Sequence, residues 1–393
     1  MVVVNQIVIE EKSGIQSLHE LRDEWRELFH HAQAEPFLSW EWAATWQRWI
    51  GQHKRVRILC ARSGGSLIGL LPLSEETHGI INQASFLGSG YGGADYLDIL
   101  ALQGCQTIVT QAFVAYLCRT AKLDLLKLEC VPSNSALLQA LKKELSKTTK
   151  LRLQITPEYI CPQIDLSFGW EAALKLSRRR DNFKRKLKHL KTRAGFEYRS
   201  ITKPADAESA FERFRSLHDA RWQDHGGSEA TGHEALRSFH RELVMRLAET
   251  GRLHFDELWI EGRCIASIYG ITQGKRFYFY NSGYDPALRN LSPGLVLLGL
   301  SIANACQRGI QRYDFLRGEE AYKFDWATST RETVTVQVSK RKVSVAVFIA
   351  AKQAQSAAKD FLQTILPEDA INRLRGWIRE RKRSQKLEVI SQS

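Results

Sequence analysis

A mixed α+β fold built from two similar units is what this sequence predicts, on three observations. At 393 residues the chain exceeds one ordinary domain, so two compact units and a terminal appendage are expected. Strand-like apolar runs alternate with helical patterns along most of its length. One pattern also occurs twice: VRILCARSGGSLIGLLPL (56–73) and LHFDELWIEGRCIASIYGI (253–271) each read as strand, glycine turn, strand, with helices before them.

The elements follow in order. The opening MVVVNQIVIEEK lacks a basic region followed by a long apolar core and reads as a strand rather than a leader. Leu18, Leu21, Trp25, Leu28 and Phe29 recur at helical spacing over 17–31, with Ser17 and Glu20 as a capping box. A second helix carries Trp42, Trp46 and Trp49 after PFLSWEW, and the 56–73 hairpin comes next. Strands are expected at 96–100, 125–130 and 151–155, with helices over 106–120 and 135–146. The 157–162 region is expected to be a linker or crossover, because proline limits both its own backbone and that of the residue before it. The units therefore run 1–165 and 166–340. In the second, a basic helix over 170–194 precedes a strand at 196–201, helices at 206–224 and 233–250, and the 253–271 hairpin. An aromatic strand beginning RFYFY, a helix from Ser292 to about Arg308 and a strand in QRYDFLRG complete it. Residues 341–393 turn helical and basic, with Ile371, Leu374, Trp377 and Ile378 as an apolar stripe.

Lys and Arg outnumber Asp and Glu by 56 to 43, a net charge of +13 concentrated in 178–193 and 373–386. Coenzyme phosphates, an acidic polysaccharide, a nucleic acid or an anionic lipid surface would all be attracted, and charge alone does not choose among them. The run at 178–193 puts Arg180, Lys184, Lys188 and Lys191 opposite Phe183, Leu187 and Leu190, a solvated face over a packed stripe. Its phenylalanine, Phe183, falls on the packed stripe and no base-reading aromatics stand among the charges, which disfavours nucleic acid. Seven cysteines without a CxxC spacing read as reduced thiols of a cytoplasmic protein rather than disulfides or a metal site. The apolar run at 343–351 is too short for a bilayer, which takes about 20 residues. The basic C-terminal helix could lie on the inner membrane face or on a partner complex, although such helices more often dock on their own protein. Walker, GxGxxG, HExxH and GxSxG signatures are absent from the sequence.

The densest chemistry lies between Arg276 and Trp326. Ser292 suits an N-cap and Pro293 a first helical position; Gly294 and Leu295 then offer the first-turn amides of a helix dipole to a pyrophosphate. Any helix may begin this way. In the following strand, alternation puts Arg312, Asp314 and Leu316 on one face and Tyr313, Phe315 and Arg317 on the other. Asp314 either pairs with an arginine or orients a nucleophile at a cleft edge. Lys323, between Tyr322 and Phe324, suits a developing oxyanion or a phosphate, with a salt bridge to Glu319, Glu320 or Asp325 as the alternative. Asp314, Glu319 and His218 are the candidates for proton removal; His218 shares a helical face with Arg221, Trp222 and His225. The HxxxD of His19 and Asp23 has no supporting context.

In chain order, PFLSWEW, LIGLLPL, the Arg-rich helix before a glycine, HDARW, YNSGYDP with SPG, and YDFLRGEEAYKFDW resemble one family. It is the CelD/BcsL-type acetyltransferase-like family of the GNAT acyltransferase superfamily, similar to the Fem peptidoglycan aminoacyltransferases. The resemblance spans about 20–335. It implies two tandem GNAT-like domains, each a mostly antiparallel sheet flanked by helices, with the donor site in the second. It also implies acetyl-CoA or another acyl-CoA as co-substrate, no metal, an amine or hydroxyl acceptor such as a saccharide, and a role in cellulose, other polysaccharide or cell-envelope biosynthesis. Ser292, Pro293 and Gly294 fall where the family's coenzyme-phosphate helix begins, Tyr322 and Lys323 match its Tyr-Lys motif, and Asp314, Arg317 and Gly318 match the strand before it. The full Q/R-x-x-G-x-G/A loop is missing; Arg289 to Gly294 (RNLSPG) stands in its place. The expected donor-binding set is Ser292, Pro293, Gly294, Leu295, Tyr280 and Arg317, and the expected catalytic set Lys323, Asp314, Glu319, Tyr322 and His218. Transfer from a charged tRNA and a non-catalytic scaffold of a polysaccharide synthase complex are the competing readings.

Overall fold

The computed structural model of the chain describes residues 6–120, 123–222 and 233–365. His225 and the stripe at 371–378 lie outside the described residues, as does the side chain of Trp222. In the first half come β1 (Val8–Ser13), α1 (Ile15–Glu20), α2 (Arg22–Ala32), α3 (Trp40–Trp49), β2 (Arg55–Ser63), β3 (Ser66–His78), β4 (Ile81–Phe86), β5 (Leu100–Ala101), α4 (Gln106–Thr120), β6 (Leu125–Pro132), α5 (Ala136–Leu145) and β7 (Leu151–Asp165). The second half begins with α6 (Trp170–Leu176), α7 (Arg180–Leu190), β8 (Glu197–Ile201), α8 (Pro204–Trp222), α9 (Glu234–Glu249), β9 (Leu253–Ile260), β10 (Arg263–Gln273) and β11 (Arg276–Tyr284). It ends with α10 (Pro293–Gln307), β12 (Arg312–Asp314), α11 (Ala321–Trp326), β13 (Ser329–Lys340) and α12 (Val343–Ile365).

The fold is mixed α+β, as the sequence predicts. The 13 strands among the described residues join one sheet in the order β1-β2-β3-β4-β6-β13-β7-β12-β11-β10-β9-β8, with β5 on the side of β3. The β4–β6 and β11–β12 pairs are parallel; the others are antiparallel. Helices cover both faces, so strands such as β2 and β10 are buried over most of their length instead of alternating. The buried indoles of the first half are satisfied: Trp25 donates to the Leu38 carbonyl (2.8 Å) and Trp40 to the Leu18 carbonyl (2.8 Å). On α9, Leu236, Phe239, Leu243 and Leu247 recur at helical spacing and are buried.

Four local expectations need correction. The strand expected at 96–100 is reduced to Leu100–Ala101, with Tyr96 in the left-handed region (φ 54). The helix read over 17–31 breaks at Leu21, and Gly14 (φ 88), not Ser17, stands at its N-cap; Ser17 Oγ instead donates back to the Ser13 carbonyl (3.0 Å). The helix read over 170–194 is two, α6 and α7, parted at Ser177, whose extended backbone ends α6 and whose Oγ accepts from Arg179 N (3.0 Å). The 157–162 region is no linker. It lies inside β7, where Pro157 opposes Val334 and Pro162 opposes Thr330 of β13. Over 151–162, β7 has a single strand neighbour among the described residues, so a missing proline N–H can face the open edge without breaking a ladder. The chain thus sends β13, from the second half, between β6 and β7 of the first.

Candidate active site

A splay in the sheet creates a cavity in the second half. β11 is nine residues long but pairs with β12 only over Arg276–Tyr278, opposite Arg312–Asp314. From Phe279 onward its strand pairing is with β10 alone, leaving one edge facing a gap into which the chain returns as α10. A cavity of about 310 Å³ opens there, lined by Gly294 and Leu295 of α10, Ser267, Ile268, Phe279, Tyr322 and Trp326 among others.

The start of α10 faces this cavity. Pro293 takes the first helical position, as expected, but the capping expected of Ser292 is corrected. Ser292 holds the N-cap place in the left-handed region (φ 57, ψ 50) and its side chain makes no cap hydrogen bond. Such a bond needs the extended backbone of an ordinary N-cap. The first-turn N–H groups of Gly294 and Leu295, which have no intrahelical acceptors, are therefore left without a side-chain cap at the positive end of the dipole. Near them stand Arg179, bonded to Asp325 (2.6 Å), and Arg221, whose guanidinium lies over the Tyr284 ring at 5.1 Å. Two more polar atoms line the cavity: Ser267 Oγ and Trp326 Nε1 are buried and have no hydrogen-bond partner among the described residues. Sequence reasoning passed over Ser267, which is hidden in an apolar strand, and read Arg179 as part of a solvated basic run.

The remaining expected residues gather beside the cavity, where the two halves meet. Lys323 is 5% exposed; its Nζ donates to the Arg317 carbonyl (2.7 Å) and pairs with Glu320 (2.9 Å). Of the alternatives read for Lys323, the Glu320 salt bridge is thus formed. Gly318 (φ 127) makes room, since a Cβ there would collide with both Lys323 Nζ and the Glu320 carboxylate. Arg317 reaches across to Asp95 of the first half (2.7 Å) and to the Ala94 carbonyl, with its guanidinium over the Tyr159 ring. Tyr280 donates to the Gly92 carbonyl and packs on His240 and Tyr269, so it lies in this seam. Tyr322, the residue before Lys323, lines the cavity; burial raises its phenol pKa and keeps it neutral.

Asp314 is wholly buried and serves as a hub. Its Oδ1 accepts from Tyr96 OH (3.1 Å) and Leu316 N (2.8 Å), and its Oδ2 from Gln163 (2.6 Å). The bond to Leu316 closes a turn with Leu316 at φ 57, which ends β12 at Asp314. The expected alternation through Arg317 is therefore corrected: Tyr313, Asp314, Phe315 and Leu316 are all buried. Burial pushes the Asp314 carboxyl up to about 7. His218, 2% exposed on α8, is held down to about 4 by burial, while Glu319 is exposed. Of the eleven expected positions, Ser292, Gly294, Leu295 and Tyr322 are brought together around the cavity, and Lys323, Arg317 and Tyr280 in the adjoining seam.

Residues 177–324 match the family model of the acetyltransferase (GNAT) domain. That stretch runs from the end of α6 through Lys323 and holds nearly all of the cavity wall. No curated protein matches the chain. Among solved structures, FemX is similar with a TM-score of 0.60 at 11% identity, covering 84% of this chain and 97% of that one. The C-terminal domain of an inferred lysylphosphatidylglycerol synthetase from Agrobacterium fabrum gives a TM-score of 0.53 at 10% identity, over 85% and 96% of the two chains. At these identities the likeness is one of fold. Residues 177–324 are therefore similar to a GNAT acetyltransferase domain, and the chain shares the fold of FemX. The described residues contain no group of His, Cys, Asp or Glu arranged to hold a metal ion, and no described helix is long and apolar enough to cross a membrane.

Proposed function

We propose that this protein is an acyltransferase that moves an acetyl or other acyl group from acyl-CoA to an amine or hydroxyl acceptor. The observation that carries this reading is the cavity itself: an apolar slot with an uncapped helix start at one end and two unpartnered buried polar atoms in its wall. A thioester on a pantetheine arm suits that combination, because its amides and carbonyl supply partners for Ser267, Trp326 and the α10 amides while the chain fills the slot. Arg179 and Arg221 would steady the phosphates. The acceptor nitrogen or oxygen attacks the thioester carbon, the carbonyl oxygen becomes an oxyanion, and the C–S bond breaks to release the thiol, which takes up the proton lost by the acceptor. Lys323 is the group assigned to the oxyanion. Asp314, locked in internal hydrogen bonds, holds the Leu316–Gly318 turn on which Lys323 rests, so its role is positioning.

In this reading residues 1–165 and 166–340 are two copies of one acyltransferase-like unit, β13 is lent by the second to the first, and 341–393 is an appendage. The order of the sequence motifs supports placement in the CelD/BcsL-type family, with a saccharide or cell-envelope acceptor inside the cell. Calorimetry with acetyl-CoA and thiol release in the presence of candidate acceptors test the proposal. Gly294→Leu supplies the control: a Cβ there meets only Tyr284 at 3.5 Å, so the new side chain enters the cavity without straining the fold. Coenzyme affinity should drop at least about tenfold with thermal stability unchanged; no coenzyme binding by the wild type would sink the reading.

A further inference from the structure

At the other end of β11 lies a second and larger cleft, about 1020 Å³, walled by both halves of the chain. Arg26 and His30 of α2 form one side; Arg252 before β9, Lys275 in the β10–β11 turn, Arg276 and Arg312 form the other. The acids nearby are largely consumed. Glu41, 1% exposed, accepts from both Arg26 (2.7 Å) and Arg252. Glu35 accepts from Arg276 (2.9 Å), Arg331 (2.6 Å) and Tyr278. Asp165 meets Arg312 only loosely, at 3.8 Å, and Lys275 has no ion-pair partner among the described residues.

Arg252 is the most telling of these groups. It is 9% exposed, lies over the Phe29 ring at 5.1 Å, and is fixed by Glu41 and by Thr250 Oγ1 (2.9 Å). Its Nη1 is buried without a partner among the described residues, and so is Oγ1 of Thr272, whose N–H bonds the Arg252 carbonyl (2.8 Å). Unpaired buried donors beside a cation-lined cleft are costly unless a ligand supplies acceptors. Four of the cations are arginines, whose planar forks match tetrahedral and carboxylate oxyanions better than lysine does.

We propose that this cleft binds a small molecule carrying two or more negative charges, as phosphate esters or carboxylates, at a site separate from the donor cavity. The two share β11 but take different residues of it, Arg276 and Tyr278 for the cleft and Phe279 and Ser282 to Tyr284 for the cavity, and have no lining residue in common. The volume admits a body of metabolite size attached to the charged group.

Titration calorimetry of the full chain with inorganic pyrophosphate and, separately, with citrate tests the site. Saturable binding of either supports it, and the tighter of the two names the source of charge. Lys275→Gln combined with Arg312→Gln alters two side chains at the surface of the cleft and should weaken binding about tenfold or more, with an unchanged circular dichroism spectrum. Gly294→Leu, which blocks the donor cavity, should leave anion binding as it was. The proposal is overturned if neither anion binds at millimolar concentration, if the double variant binds as well as the wild type, or if Gly294→Leu is the change that abolishes binding. Coenzyme binding by the double variant is read in parallel, so that failure of the anion site and failure of the acyl-CoA reading give different results.

Discussion

The two ends of β11 solve different problems with different materials. At the Tyr284 end the cavity is small and largely apolar, and every residue in its wall falls between 179 and 326. At the Arg276 end the cleft is about three times larger and ringed by cations, and it exists only because α2 and α3 of the first half close against the second. One end is local in sequence and the other is made by long-range apposition. The seam between them is held by charged and aromatic groups, such as Arg317 with Asp95 and Arg331 with Glu35, instead of by aliphatic packing alone. Truncating one partner of such a buried pair strands the other, so this seam resists change in a way that the cavity wall does not.

Three changes should break or sharpen that contrast, in falling order of effect. Lys323→Ala should lower kcat by about two to three orders of magnitude with little change in the KM for acyl-CoA, since it removes the proposed oxyanion donor and leaves the cavity wall intact. Steady-state kinetics decide this, and unchanged turnover would move the protein toward a scaffold role. Gly283→Ala should cost about 3 kcal/mol of stability. A Cβ there would sit 2.7 Å from the Leu217 carbonyl carbon and 2.8 Å from the His218 Cα, and helix backbone cannot step aside as a side chain can. Denaturant unfolding measures it; full stability would show that α8 gives way easily.

The smallest effect is on pH dependence. Burial holds the His240 imidazole down to about 3 and that of His218 to about 4, against an ordinary 6.5. The folded state therefore keeps both neutral while the unfolded chain takes up protons below about pH 6.5. For these groups ν_U exceeds ν_N, so stability rises with pH across this window and is lost as pH falls from about 6.5 toward 4, by at most about 1.4 kcal/mol per pH unit for each histidine. His240→Gln should flatten that slope by roughly half. Thermal melts at several pH values would show it, and an unchanged slope would remove His240 as a cause.

Much of the local architecture was legible in the residues. The 56–73 and 253–271 hairpins, the helix over 106–120 and the helix beginning at Pro293 all form close to where periodicity and turn residues put them. Each is governed by contacts a few residues apart. The prolines of β7 misled because proline forbids a central ladder position but not an open edge, and which edge is open depends on a strand 170 residues away. Ser292 misled in the same way: its residue type suits a cap, but the preceding turn sets its backbone at φ 57.

What the sequence by itself determined is the position of most second-half elements up to β12, apart from the break between α6 and α7, and the candidate group, Ser292 to Leu295 with Tyr322 and Lys323, on which the donor proposal is built. Periodicity, proline placement and side-chain type act over a few residues and can be read along the chain. Only the tertiary structure decided that β11 and β12 part after three residues to open the cavity and that β13 crosses into the first half. It alone placed Ser267 and Trp326 in the cavity wall and drew Arg26, Arg252 and Arg312 into one cleft. Those features depend on which distant surfaces bury each other, a free-energy balance over the whole sheet that no local pattern encodes.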